Sequence, residues 1–260
     1  MELGLGGKVA LVTGASQGLG HAIASRLAAE GMRVAVSARN EAKLKSLAEA
    51  VEAAGGHCLV HAADLRDPAA PAAFVESAVR SFGRIDVVVN NAGATVRGDF
   101  LALGDEQWSD GFELKFFGAM RLSRAAWPHL VASGGSIVNI AGVGGRTGSA
   151  EFTIGGSVNA ALMHLTKSLA DRGNTDGVRV NALNPGLIRT ERLSRRINLR
   201  AERDKLSESE AAERMAAEMG IRDFGWPEDV ASAVAFMVSA KAGYLQGAVI
   251  DLDGGLTRAL

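Results

Sequence analysis

Thiols, phenols and prolines are scarce in this chain of 260 residues. One cysteine, Cys58, excludes an internal disulfide and fits a reducing compartment. One tyrosine, Tyr244, is the only phenol. Five prolines against 32 glycines leave most turns to glycine, which suits an α/β domain. The net charge of −1 supplies no basic field for nucleic acid or an anionic membrane, so neither is expected as a partner. No apolar run reaches the roughly 18 residues of a membrane span, and no charged leader with an apolar core precedes the first strand. The cytoplasm is the expected location, and no metal-ligand set is expected. What the chain does have is apolar content, 47% against 22% charged residues, enough to bury a sizeable core.

The apolar content is arranged in alternation. Short continuous apolar runs at 8–13, 33–38, 57–62, 85–90, 136–140, 178–183 and 248–252 read as strands covered on both faces. Between them, apolar residues at helical spacing predict helices over 18–30, 41–53, 67–82, 105–132 and 157–172, with a late helix opened by Pro227. Asn40 is placed to cap the second helix. With no composition break, residues 1–260 are expected to form one doubly wound domain. Residues 191–219, dense in Arg, Lys, Glu and Ala, stand apart as an amphipathic helical stretch after the Pro185-Gly186 turn.

The turn after the first strand reads Thr13-Gly14-Ala15-Ser16-Gln17-Gly18-Leu19-Gly20. A strand, a glycine loop and a helix N-terminus make a pyrophosphate cradle, because exposed amides and missing Cβ atoms let phosphates approach. Asn90-Asn91-Ala92-Gly93 follows the fourth strand, and Asn184-Pro185-Gly186-Leu187-Ile188-Arg189-Thr190 the sixth. In this order and over the whole length, these motifs resemble the short-chain dehydrogenase/reductase family. The resemblance implies a Rossmann-type three-layer fold around a mainly parallel seven-stranded sheet. It also implies a dinucleotide held by Gly14, Ser16, Gln17, Gly18, Leu19 and Gly20. Asp64 and Leu65 would hold the adenine, Asn91, Ala92 and Gly93 its ribose side, and Pro185, Gly186, Ile188 and Thr190 the nicotinamide end. The stretch at about 190–220 corresponds to the family's mobile lid. NADP is expected over NAD: Ala38 stands where NAD-preferring members carry Asp, Arg39 can pair with a 2′-phosphate, and Ser37 can donate to it. The alternative is that Arg39 faces solvent.

That family works with a Ser, a Tyr, a Lys four residues later and an upstream Asn. Aligning Gly135–Ile140 with its fifth strand puts the Ser position at Gly142, the Tyr position thirteen residues on at Gly155, and the Lys position at Asn159. Counting from Trp108 puts the Asn position at Lys115. The tyrosine that normally donates the proton is therefore a glycine. Thr153, Ser149, Ser157 and His164 lie nearby but read as turn, cap or surface residues. Two readings follow. The first is a catalytically silent dinucleotide-binding member, a pseudoenzyme or supporting subunit. The alternative is an oxidoreductase or carbonyl-compound enzyme rebuilt around Lys115, whose amine would lose basicity if buried. Lys115 facing solvent or a subunit partner stays open. The resemblance also implies a homodimer or homotetramer, or pairing with a paralogous subunit, and a small carbonyl-type ligand.

Overall fold

The computed structural model describes residues 2–258. Seven strands, β1 Val9–Thr13, β2 Arg33–Ala38, β3 His57–Ala62, β4 Val87–Asn90, β5 Ser136–Ile140, β6 Arg179–Pro185 and β7 Val249–Leu252, form one sheet in the order β3-β2-β1-β4-β5-β6-β7. Every pairing is parallel, as the continuous apolar runs require of strands with both faces covered. On one face lie α1 (Gly18–Ala29), α2 (Glu41–Ala53) and α9 (Pro227–Val238), whose Ile23, Leu27, Leu44, Leu47 and Val234 pack on Val12, Val34 and Val36. The other face is covered by α3 (Ala70–Phe82), α5 (Gly118–Ser133) and α6 (Thr153–Asp176), with Phe74, Leu122 and Leu130 against Leu11, Val88 and Ile137. Strand order reverses between β1 and β4, so the crevice at their carboxyl ends is where a ligand fits an open parallel sheet.

Three helix boundaries differ from expectation. The 67–82 helix begins at Ala70, because the Asp67 side chain caps Ala69 and turns the chain first. The 105–132 helix is α4 (Asp105–Phe112) and α5 joined by a π-helical turn, Glu113–Phe117. The 157–172 helix begins earlier, at Thr153, and takes Gly155-Gly156 inside it. Those glycines look like breakers in sequence, but they are where other groups press on the helix: a Cβ on Gly156 would stand 2.9 Å from the Gly144 carbonyl oxygen. Asn40 caps α2 as expected, accepting from the Lys43 amide at 3.0 Å. The 191–219 stretch forms α7 (Glu191–Asp204) and α8 (Glu208–Glu218), separated by a Ser207/Glu210 capping box. They close on an apolar cluster of their own, including Leu193, Ile197, Met215 and Phe224.

Candidate functional site

The glycine loop is built for an anion. Gln17 precedes α1 without a side-chain cap, and the first turn holds no acid, so its amides stay free for an oxyanion. Gly20 is sterically obligatory: a Cβ there would stand 2.3 Å from the Gly14 carbonyl oxygen. Asn91 ties the loop to β4, its amide donating to the Thr13 carbonyl at 2.9 Å and the Gly14 carbonyl at 3.3 Å. The Thr13 hydroxyl in turn accepts from the Asn91 and Ala92 amides, both at 3.0 Å. Asn91 and Ala92 thus shape the cradle from behind. Thr190, at the root of α7, faces Gly18, with its methyl 3.5 Å from where a Cβ would be. The root of α7 therefore meets the phosphate loop.

At the end of β2, Arg39 is largely exposed, with Asp64 3.9 Å away. The Asp64 carboxylate also takes Arg66 at 3.2 Å, and Arg66 reaches across to Asp110 on α4. Ser37 differs from expectation: it is fully buried and its hydroxyl lacks a partner among the described residues, so it does not face the open groove. Its contribution is its carbonyl, which accepts from the Gly14 amide at 2.7 Å. Leu65 is likewise buried, beneath Gly118. Sequence reading passed over Lys43, whose ammonium donates to Gln17 Oε1 at 2.8 Å and lies 3.8 Å from Glu191 on α7. Lys43 on α2 recurs at helical spacing with Asn40 but carries no motif, so no sequence signal marked it.

At the other end of the groove, Gly142 sits at φ +153°, which L side chains rarely adopt, and its amide donates to Asn184 Oδ1 at 3.1 Å. A Cβ on Gly142 would stand 3.0 Å from Asn159 Nδ2. Gly155 lies one turn before Asn159 on α6, and the space beside it is filled: a Cβ there would fall 2.1 Å from Cζ of Phe152. The Arg97 guanidinium lies over the Phe152 ring, 4.1 Å from the centroid. Pro185 and Ile188 are buried, and Gly186 packs against Asp253, where a Cβ would meet Cβ of Asp253 at 2.7 Å.

Lys115 comes from the π-helical turn, and such a widened turn redirects side chains at functional sites. Its stem runs beside Gly93, and its amine donates to the Ala141 carbonyl at 2.7 Å and to Asn159 Oδ1 at 2.6 Å. Lys115, Gly142 and Asn159 are thus brought together, with Gly155 one turn away. The amine is enclosed although part of the stem is open. Burial, with the positive field of Arg192 second, lowers its pKa from 10.5 to about 7. No other amine or acid among the described residues touches this one. His164 and Ser157 are exposed on α6, and Tyr244 is fully exposed before β7. The Thr153 hydroxyl is buried without a partner among the described residues. The lone thiol, Cys58, is pushed up to about 12 by burial and by Glu52, so it is no nucleophile.

A family model described as enoyl-(acyl carrier protein) reductase matches residues 14–257. The short-chain reductase protein NovJ of Streptomyces niveus is 38% identical over 95% of this chain and 93% of its own length. The 3-oxoacyl-[acyl-carrier-protein] reductase FabG of Staphylococcus aureus is 33% identical over 96% of this chain and 98% of its own. Among solved structures, L-sorbose reductase from Gluconobacter frateurii, complexed with NADPH and L-sorbose, superposes with a TM-score of 0.96 at 33% identity, covering 100% of both chains. The chain belongs to the short-chain dehydrogenase/reductase family.

Proposed function

We propose that this protein is an NADP(H)-dependent oxidoreductase of a small carbonyl compound, with Lys115 in place of the family's Ser-Tyr-Lys proton relay. The observation that carries this reading is the amine of Lys115, enclosed between Ala141, Asn159 and Gly93 with a pKa of about 7. The uncapped α1 N-terminus, the Gly14–Gly20 cradle and the Thr190 contact fit a dinucleotide, and the solved relative complexed with NADPH supports it. When bound, the dinucleotide supplies or accepts a hydride. The chain's part is the proton. Two of the three ammonium N–H groups of Lys115 are directed at Ala141 and Asn159, which leaves one for the substrate oxygen. An acid with pKa near the working pH is the efficient choice for that transfer. Residues 190–220 act as the lid, rooted at Thr190 beside the phosphate loop. Turnover and dinucleotide binding measured on one preparation test the proposal: binding with no hydride transfer to any carbonyl compound would reject it.

The silent reading has one observation of its own, the Phe152 ring standing where a residue-155 side chain would go. It predicts that wild type transfers no hydride. It also predicts that Gly142→Ser, Gly155→Tyr, Asn159→Lys and Lys115→Asn, combined with Phe152→Ala to clear space, raise reductase activity from near zero to a measurable rate. Without Phe152→Ala the tyrosine would collide with the ring. Robust wild-type turnover contradicts this reading.

NADP(H) preference rests on Arg39 and Ala38 at the end of β2. A guanidinium paired only loosely with Asp64 is free to turn to a 2′-phosphate. Arg39→Ala is expected to weaken NADPH binding by about tenfold and leave NADH unchanged, because one charge-assisted pair is lost. Equal loss for both dinucleotides, by calorimetry, would contradict it. Exposed Phe117 on the π-helical turn and Val131 on α5 support association of two or four copies, or pairing with a paralogue. Sedimentation as a monomer at micromolar concentration would speak against self-association.

A further inference from the structure

Three guanidiniums around the mouth of this cleft have no carboxylate of their own. Arg97 stands on the loop after β4, and Arg192 and Arg196 on α7. Among the described residues, none of the three enters a hydrogen bond or an ion pair, and burial, followed by the nearby charges of Arg196 and Arg192, lowers the pKa of Arg97. Their neighbours on the same helix differ. Arg195 pairs with Glu191, and Arg200 with Asp204 and Glu218. Arg192 and Arg196 are like charges four residues apart on one helix face, an arrangement that destabilises an isolated helix. Glu151 is the one carboxylate whose field reaches Arg97, and it makes no ion pair with it. The Arg97 guanidinium carbon lies 4.1 Å over the centroid of the Phe152 ring, and its N–H groups have no acceptor among the described residues.

We propose that Arg97, Arg192 and Arg196 form a receptor for an oxyanion of the substrate, a carboxylate or a phosphate, held at the lid edge of the cleft with the Phe152 ring as its apolar floor. The inference rests on the reading of this cleft as the substrate site and narrows the substrate to an anionic carbonyl compound. Anchoring from both the β4 loop and α7 would draw the lid down on the bound anion. A single guanidinium binds either oxyanion through two parallel N–H donors, and three of them supply the field that attracts it.

The test uses the full chain, first saturated with NADPH, with benzoate and inorganic phosphate as separate probes followed by calorimetry. At least one probe is expected to bind at millimolar concentration or better. Arg97→Met and Arg192→Met are each expected to weaken that binding by about tenfold while leaving the NADPH affinity unchanged. Tighter benzoate points to a carboxylate substrate, tighter phosphate to a phosphorylated one, and either supports the receptor. The proposal is overturned if neither anion binds at millimolar concentration, if binding survives both substitutions, or if the anion merely competes with NADPH. If NADPH itself does not bind, the dinucleotide reading fails on its own. The same titrations on the free protein then still decide the arginine site.

Discussion

Lys115→Met is expected to lower carbonyl turnover by about 10²–10⁴-fold, the usual effect of removing a positioned acid. Methionine keeps most of the stem's volume and removes only the proton carrier. NADPH affinity should stay within a few-fold of wild type, because the phosphate loop and Arg39 lie at the other end of the groove. In the reducing direction the wild-type rate should fall as pH rises through about 7, as the ammonium of Lys115 deprotonates. In the variant that inflection should vanish. A variant that retains wild-type turnover would show that another group donates the proton, and the buried Thr153 hydroxyl would be the next to examine.

The same buried amine makes stability depend on pH. In the unfolded chain Lys115 holds its proton up to its ordinary value of 10.5, whereas in the folded protein it releases it at about 7. Below about 7 both states are charged, and the folded state bears the full penalty of an enclosed ammonium. Between those values the unfolded chain binds the extra proton, so folding is favoured increasingly as pH rises. Across that window the gain is on the order of 4 kcal/mol. Denaturant unfolding of wild type and Lys115→Met should therefore diverge in wild type's favour from about pH 6 to about pH 10. Loss of the donors to Ala141 and Asn159 in the variant adds an offset that does not vary with pH. A difference constant across the range would mean that Lys115 titrates as an ordinary lysine.

Much of this was legible from sequence because it depends on local chemistry. Continuous apolar runs identified all seven strands, and the glycine spacing located the loop whose Gly20 admits no Cβ. Asn40 acted as the cap its position suggested. The rest depends on contacts between distant segments. Nothing in Glu113–Phe117 marks a π-helical turn, so whether Lys115 faced the cleft or solvent stayed open. Phe152 occupying the space beside Gly155 is a question of three-dimensional packing, and so is the exclusion of Ser37 from the groove. Arg66 bridging Asp64 and Asp110 joins residues 44 apart, with no local pattern to announce it. Arg192 and Arg196 were visible only as part of a charged helical stretch, and no sequence signal marked Arg97. Their isolation from carboxylates emerges once α7 is set beside the loop carrying Arg97.

A lysine-selective NMR titration, following the Nζ and Cε signals of wild type beside Lys115→Met, measures the amine directly. The expected result is one lysine signal, missing from the variant, that titrates at about 7. Every lysine titrating above 10 would contradict it, since an ordinary exposed amine at position 115 could not take over the proton relay.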